Sequence, residues 1–267
     1  MTGQAMAATA IRPLPDFRVV DSHPRFWGLF ADGRWEPGTL AALGRHLGPG
    51  RRFVDVGAWI GPTSLEAARL GADVVAFEPD PAAFDLLRRN LDLNPELAER
   101  IEAVPLALAP ESGPMQLHSR EAGNSETSVF DLHLRNGEAK PARLAFDVEG
   151  IGVAEACERY GFPDADLVKL DLEGAEYLLL PSLIEALGPA NPPLLLSFHP
   201  MNLVALPTEE QRRLGESCLC ALTDYSAEAW SGDEWRAADP DCVAAAAHQP
   251  DAGDHTFLLQ TDPGEAK

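Results

Sequence analysis

Short apolar runs alternate with amphipathic stretches along most of the chain. Residues 53–56 and 74–77 are apolar runs of strand length, and each precedes a stretch with apolar residues at helical spacing. Further strands are predicted at residues 101–108, 166–170, 193–198 and 255–260. Buried parallel strands joined by crossover helices have this alternation. The pattern predicts an α/β fold with a doubly wound, mostly parallel, Rossmann-like sheet of seven strands.

Capping and helix-breaking residues predict where two of the helices begin and end. Asp80 is suited to cap a helix that ends before Pro95. A second helix is predicted to begin after Gly174 and to be interrupted at Pro181, because proline removes a hydrogen bond from a helix interior. Ser182 then restarts it with a capping box.

Two regions depart from the alternation. Residues 1–50 contain several large aromatic side chains and are predicted to form a helical and aromatic segment that packs on the domain formed by residues 51–267. Residues 111–147 form a long polar insert between the third and fourth strands. Insertions of this length in a compact domain are typical of lids or added hairpins.

Charge and composition narrow the classes of partner. The 267 residues include 42 acidic and 21 basic side chains, and the net charge of −21 argues against nucleic acid or an anionic membrane as the main partner. No apolar run reaches the roughly 18 residues of a membrane span, and no basic leader precedes an apolar region, so a cytoplasmic protein is expected. The four cysteines have neither disulfide nor metal-ligand spacing. A small-molecule partner is expected, and the sequence leaves the oligomeric state open.

The turn after the first strand reads D-x-G-x-x-x-G, with Asp55, Gly57 and Gly61 at its fixed positions. No lysine follows Gly61 as in a phosphate-binding loop, and the third glycine of a dinucleotide-binding loop is missing. A carboxylate at the mouth of the site would repel a pyrophosphate and attract a cation. These features favour S-adenosylmethionine, which carries a sulfonium and an ammonium group.

Glu78, at the end of the second strand, supports the same cofactor. Its two carboxylate oxygens can accept both hydroxyls of an adenosine ribose. Ala58 and Trp59, between the glycines, and Pro79, after Glu78, complete the predicted cofactor contacts on this side. The alternative interpretation makes the glycines ordinary turn residues and the acids solvated strand ends.

Three segments together resemble a known family. FVDVGAWIG, VVAFEPDPAAFDLLRRNLDLN and DLVKLDLEGAEYLLL are similar in order and spacing to the FkbM-type S-adenosylmethionine-dependent methyltransferases. The last segment is the most specific, and the similarity covers roughly residues 36–200. The resemblance implies a class I methyltransferase fold and methyl transfer, typically to a hydroxyl of a small molecule or sugar.

The resemblance also implies roles for single residues. Asp55, Gly57 and Gly61 would line the methionine part of the cofactor, Glu78 would bind its ribose, and Asp171 would stand near the methyl group.

Trp59 departs from the commoner family pattern, in which asparagine is frequent at this position. We interpret Trp59 as an apolar wall or loop anchor, and predict that Trp59→Asn retains cofactor binding.

His199 and Asp171 are the predicted catalytic residues. His199 closes the apolar run 193–198, which places it on the ligand side of the sheet as a general base or an acceptor-binding group. A strand-end histidine bonded to backbone is the alternative. Asp171 and His199 offer two ligands for a divalent metal, but no third is evident, so no metal is predicted. Glu176 is interpreted as favouring a helix N-terminus.

Two other functions stay open at this point. One is a degenerate methyltransferase fold that binds ligands or partners without turnover, which the altered Trp59-Pro62 loop permits. The other is an NAD-dependent oxidoreductase, which shares the sheet and Glu78 but needs a third glycine.

Overall fold

The computed structural model describes residues 11–13, 16–135, 138–249 and 255–261. Apolar strands and amphipathic helices alternate through these residues, as the sequence pattern predicts. The strands are β1 Ile11–Pro13, β2 Arg18–Val20, β3 Arg52–Val56, β4 Asp73–Phe77, β5 Ile101–Val104, β6 Ala107–Ala109, β7 Gly113–Ser119, β8 Leu132–Arg135, β9 Glu138–Pro141, β10 Leu144–Gly152, β11 Leu167–Leu170, β12 Leu194–Ser197, β13 Tyr225–Ser231, β14 Glu234–Ala237 and β15 Thr256–Thr261.

The helices cover both faces of the main sheet. They are α1 Pro24–Ala31, α2 Pro37–His46, α3 Pro62–Arg69, α4 Pro81–Asp92, α5 Pro95–Ala98, α6 Val153–Tyr160, α7 Glu176–Leu187, α8 Thr208–Ala221 and α9 Pro240–His248. In the described part of the chain, no helix has the length and apolar character needed to cross a bilayer.

The main sheet has the order β14-β13-β15-β12-β11-β3-β4-β5. The strands from β12 to β5 are parallel to their neighbours, and β15, β13 and β14 are added antiparallel. The sheet is doubly wound and mostly parallel, as predicted. It has eight described strands where seven were predicted, because β14 folds back along β13 as an edge hairpin.

Neighbouring residues of β3 point to opposite faces of this sheet. Phe53 joins one hydrophobic cluster and Val54 the other, because successive side chains of a strand alternate between faces. Trp27, from the N-terminal segment, is fully buried in the same cluster as Phe53. The carboxyl ends of the parallel strands therefore meet at one edge of a sheet covered on both faces.

Two local predictions are wrong. The strand predicted at 101–108 is divided, because β5 belongs to the main sheet whereas β6 pairs with β10 in a separate three-stranded sheet with β7.

The predicted interruption at Pro181 does not occur, and α7 runs through it. The carbonyl of Tyr177, four residues before Pro181, accepts a hydrogen bond from the thiol of Cys218 at 3.8 Å. Ser182 caps nothing, and its hydroxyl donates to the carbonyl of Leu179.

Candidate active site

Two adjoining cavities open at the carboxyl ends of β3, β4 and β11. The first, called the Glu78 cavity, includes about 620 Å³ of space, part of it open to solvent, and is lined by Phe77, Glu78, Pro79, Leu106, Leu108, Met115, Leu117 and Val129, among others. The second, called the His199 cavity, includes about 1240 Å³ of open space and is lined by His23, Phe26, Trp35, Glu36, Lys169, His199 and His255, among others. Both cavities are bordered by Gly57, Trp59, Asn124, Ser125, Asp171 and Glu173. A molecule in one cavity can therefore contact a molecule in the other.

Glu78 presents a fixed carboxylate to its cavity. The residue is only 6% exposed, and its Oε2 and Oε1 accept the backbone N–H groups of Trp59 and Asp80, each at 2.8 Å. Burial raises the pKa of Glu78 to about 8, although these two hydrogen bonds act in the opposite direction. Each oxygen keeps a lone pair, so the carboxylate can accept two neighbouring hydroxyl groups.

The 111–147 insert covers the Glu78 cavity. Asp80, which caps α4, also accepts hydrogen bonds from the backbone N–H of Gly123 at 3.2 Å and from the hydroxyl of Thr127 at 3.1 Å. The indole N–H of Trp59 donates to the carbonyl of Gly123 at 2.9 Å. The insert is thus attached to the two turns that follow β3 and β4.

Trp59 connects three parts of the site. Its backbone is left-handed, with φ 51°, which directs its N–H to Glu78. Its ring centroid lies 4.6 Å from that of Phe26 and 5.0 Å from that of His23, both in the N-terminal segment. The indole therefore joins the cofactor turn, the insert and the N-terminal segment, a position that suits the wall or anchor interpretation.

Asp55 is fully buried and lines neither cavity. Its Oδ2 accepts the hydroxyls of Thr63 and Ser64 at 2.6 Å each, and its Oδ1 lies 3.6 Å from Nζ of Lys169. Lys169 is therefore a cation beside Asp55, and a contact of Asp55 with the cofactor stays a prediction. The two hydroxyls satisfy Oδ2, whereas Oδ1 has no hydrogen-bond partner among the described residues and faces the ammonium at longer range.

The two glycines of the turn serve different contacts. A Cβ on Gly57, whose φ is +85°, would lie 2.1 Å from the carbonyl oxygen of Asp171. Gly57 thus permits the ends of β3 and β11 to approach at the border of both cavities. Gly61 adopts φ +90° as the N-cap of α3, lines neither cavity and faces the side chain of Leu87.

A polar cluster lies at the ends of β11 and β12. Nε2 of His199 is 3.5 Å from Oδ1 of Asp171 and 3.7 Å from Oε1 of Glu173. On the other side of the ring, Nδ1 is 3.0 Å from Oε1 of Glu176. Nζ of Lys169 lies 3.3 Å from Oδ2 of Asp171. Three carboxylates therefore surround one imidazole, with one ammonium beside them.

The charges in this cluster shift several pKa values. Burial opposes protonation of His199, but Glu173, Glu176 and Asp171 raise its pKa well above the usual range. Burial raises the pKa of Glu173 to about 7, against the effect of His199. Burial would also raise the pKa of Asp171, but Lys169 and His199 bring it below the usual value. His199 thus keeps its proton to higher pH than an ordinary histidine, and its partners share the resulting charge.

Asp171, Glu173 and His199 also meet a spacing criterion for a cation. Each offers one ligand atom, and within the described residues these atoms lie within 4.8 Å of one another. The expectation that the chain offers no third ligand beside Asp171 and His199 is therefore wrong, because Glu173 stands next to both. The absence of a bound metal stays a prediction.

The structure brings most of the predicted site residues together. Gly57, Trp59, Glu78, Pro79 and Asp171 line the Glu78 cavity, whereas Ala58 and His199 line only the His199 cavity. Sequence reasoning missed the site roles of Lys169 and Glu173, although both lie in the KLDLEGAE segment that carried the family resemblance. Glu36 was missed as well, and no local signal marks it.

An acid after β4 and a polar cluster after β11 thus lie at the carboxyl edge of one doubly wound, mostly parallel sheet. A family model described as the methyltransferase FkbM domain matches residues 55–203, which is more than half of the chain. The chain belongs to the FkbM methyltransferase family.

Individual relatives differ considerably from this chain. The methyltransferase sdnD of Sordaria araneosa is 32% identical over 152 residues, which cover 48% of this chain and 58% of that protein. The match thus spans less than two thirds of the relative's length. A methyltransferase FkbM from Methylobacillus flagellatus is 14% identical, with 87% of this chain and 60% of that chain covered and a TM-score of 0.44. An O-methyltransferase from Bacillus cereus, solved with SAH, is 12% identical, with 84% and 78% covered and a TM-score of 0.43.

Proposed function

We propose that this chain transfers the methyl group of S-adenosylmethionine to a hydroxyl oxygen of a small molecule or sugar. The observation that carries the proposal is the border shared by the two cavities. It joins a mostly apolar space that contains the carboxylate of Glu78 to a second space that contains a histidine and acids. One cavity suits an adenosine, and the other suits an acceptor beside it.

The Glu78 cavity has the chemistry expected for the adenosine part of the cofactor. Its lining combines apolar side chains with a few polar groups, as small-molecule sites usually do. Glu78 would accept the two ribose hydroxyls, and Leu106, Leu108 and Val129 offer apolar contacts to a base. Asp171 and Glu173, at the border, provide negative charge for the sulfonium and ammonium end.

His199 is the proposed general base. When bound, S-adenosylmethionine supplies a methyl group activated by its sulfonium, so the chain has chiefly to align the acceptor oxygen with it. Nε2 of His199 lies in the acceptor cavity and would take the proton of the acceptor hydroxyl as the oxygen forms its bond to carbon. Asp171, 3.5 Å from this nitrogen, would stabilise the resulting imidazolium.

The charged side chains of the His199 cavity largely compensate one another, since Lys169 and His199 face acids and burial raises the pKa of Glu36 and Glu173. Among its described lining residues, Glu36, Asp171 and Glu173 are acidic, and Lys169 is the one lysine or arginine. That ammonium lies 3.3 Å from Asp171 and 3.6 Å from Asp55, so it is already compensated. A neutral hydroxyl compound would enter this compensated site without adding an unpaired charge.

Calorimetric titration with S-adenosylmethionine, S-adenosylhomocysteine and NAD tests the proposal. We expect both sulfur compounds to bind and NAD not to bind. A panel of hydroxylated small molecules and sugars, with S-adenosylhomocysteine release as the readout, then tests turnover. Lack of binding by either sulfur compound would refute the proposal. Binding without turnover of any acceptor would support the binding-module alternative, and NAD binding alone the oxidoreductase.

A further inference from the structure

Glu176, in the first turn of α7, is a fully buried carboxylate directly behind His199. Its Oε2 accepts the backbone N–H of Gly174 at 2.9 Å. Its Oε1 accepts the backbone N–H of His199 at 2.7 Å and lies 3.0 Å from Nδ1 of the same residue. Three nitrogen atoms from two segments therefore converge on one side chain.

The chemistry of this contact determines which ring nitrogen carries a proton. An ionised carboxylate accepts hydrogen bonds and donates none, so a nitrogen that binds it must be an N–H. With Nδ1 of His199 as the donor to Glu176, the neutral ring has its lone pair on Nε2. Nε2 is also the nitrogen on the side of Asp171 and Glu173, at 3.5 and 3.7 Å.

We propose that Glu176 is a positioning residue that holds His199 in the Nδ1–H tautomer, with the Nε2 lone pair directed into the acceptor cavity. The proposal rests on the proposed function, because an Nε2 lone pair has a use there only if a proton must be taken from the acceptor. Glu176 acts through His199 and lines neither cavity. Its role thus exceeds stabilisation of a helix N-terminus, since the same oxygen binds both the backbone and the ring of His199.

Several charged side chains surround His199, and most of them change only its proton affinity. They are Asp171 and Glu173 from the β11–α7 turn, Glu176 from α7, Glu36 from the N-terminal segment and, through Asp171, Lys169 from β11. Of these, Glu176 is the one within hydrogen-bond distance of Nδ1. Removing Asp171 or Glu173, which lie on the Nε2 side, should therefore lower the pKa of His199 and leave the neutral ring in the Nδ1–H form.

Nitrogen NMR of the histidine rings measures this directly in the isolated protein. Uniformly ¹⁵N-labelled protein would be titrated from neutral to alkaline pH. The chemical shifts of the ring nitrogens would be detected through their two-bond coupling to the ring protons. His199→Gln identifies the signal among the seven histidines. We expect the neutral ring of His199 to be in the Nδ1–H form.

Glu176→Gln and Glu173→Gln form a matched pair of variants. Each removes one negative charge near the ring, on the Nδ1 side for Glu176 and on the Nε2 side for Glu173. Both should lower the pKa of His199, but Glu176→Gln alone should increase the Nε2–H population several-fold. Glu176→Asp, which keeps a shorter carboxylate, should restore part of the Nδ1–H form.

The wild-type measurement keeps the proposal testable even if Glu176→Gln does not fold. A neutral His199 in the Nε2–H form would overturn it, as would equal tautomer populations in the two Gln variants. Because neither cofactor nor acceptor is present, this result is separate from that of the proposed function. If the neutral ring is in the Nδ1–H form but the protein transfers no methyl group, the proposed function is refuted. The effect of Glu176 on the His199 tautomer is then still supported.

Discussion

The Glu78 cavity and the His199 cavity meet at a common border, but they are assembled in different ways. The carboxylate of Glu78 is held by two backbone N–H groups, from Asp80 in the turn after β4 and from Trp59, 19 residues away in the turn after β3. His199 is held by Glu176, 23 residues away, and the wall opposite includes Trp35 and Glu36 from the N-terminal segment. The first polar centre depends on main-chain donors and the second on a side chain, and only the second cavity includes the N-terminal segment in its described lining.

The two cavities also differ in how their acids are compensated. Glu78 has two hydrogen bonds and no cationic partner among its described contacts, and burial raises its pKa to about 8. Asp171 faces Lys169 and His199, which lower its pKa. An acid without a cationic partner, such as Glu78, suits neutral hydroxyl donors. An acid paired with cations, such as Asp171, can support proton transfer. Substitutions at Glu78 and at His199 should separate the binding carboxylate from the charged reaction site.

Replacing His199 should have the largest effect on turnover and should leave cofactor binding unchanged. For His199→Ala we expect acceptor turnover to fall by about 10²–10⁴-fold, the usual contribution of a general base, with cofactor affinity unchanged. Single-turnover kinetics and calorimetry measure the two quantities. His118→Ala, in a residue that lines neither cavity, is the control. Unchanged turnover in His199→Ala would dismiss the base.

The same role predicts a pH dependence. Since the carboxylates raise the pKa of His199 well above 6.5, the ring keeps its proton to higher pH than an ordinary histidine and must lose it to act. Turnover should therefore rise with pH beyond the ordinary histidine range and level off above the raised pKa. A profile that levels off below pH 6.5 would contradict the cluster's electrostatics.

Gly57→Ala should damage both cavities, because Gly57 belongs to their shared border. The left-handed backbone costs roughly 1–2 kcal/mol with a side chain, and the clash with the Asp171 carbonyl adds to it. We expect Tm to fall by about 5–10 °C, from a loss of about 2–3 kcal/mol. Gly44→Ala, in α2, is the control, since a Cβ there meets nothing within 4 Å. Equal Tm values for both variants would contradict the close approach of β3 and β11.

Glu78 should give cofactor binding a pH dependence of its own. Below its pKa of about 8 the carboxyl is largely protonated and accepts hydroxyl donors less well; above it the carboxylate accepts both. Affinity for S-adenosylmethionine should therefore rise between pH 6 and pH 9 by about tenfold, or about 1.4 kcal/mol. Glu78→Gln should remove this dependence, whereas Glu102→Gln, exposed on β5, should keep it. A flat wild-type profile would rule out the ribose contact.

Trp59→Asn should have the smallest effect. Asparagine tolerates the left-handed backbone and keeps the N–H that binds Glu78, while the indole contacts to Gly123 and Phe26 are lost. We expect cofactor affinity to change by less than about threefold, or about 0.6 kcal/mol. Calorimetry measures it, and a loss beyond tenfold would show that attachment of the insert is needed for binding.

The sequence predicted the fold where one segment holds all the information. The apolar runs predicted the positions of β3, β4, β11, β12 and β15, and Asp80 caps α4 as expected. The sequence-based prediction was wrong where contacts with distant residues determine the structure. β6 leaves the main sheet to pair with β10, and α7 continues through Pro181 because its apolar side chains are buried and Cys218 binds the freed carbonyl.

Among the site residues, the sequence by itself determined that Gly57, Glu78, Asp171 and His199 follow strands of one parallel sheet. Such ends share an edge, so these residues had to be neighbours. Only the tertiary structure decided the electrostatic role of each acid, because a partner's distance and burial depend on packing between remote segments. It buried Asp55 against Lys169 and brought Glu176 to His199, and neither pairing is encoded by local spacing.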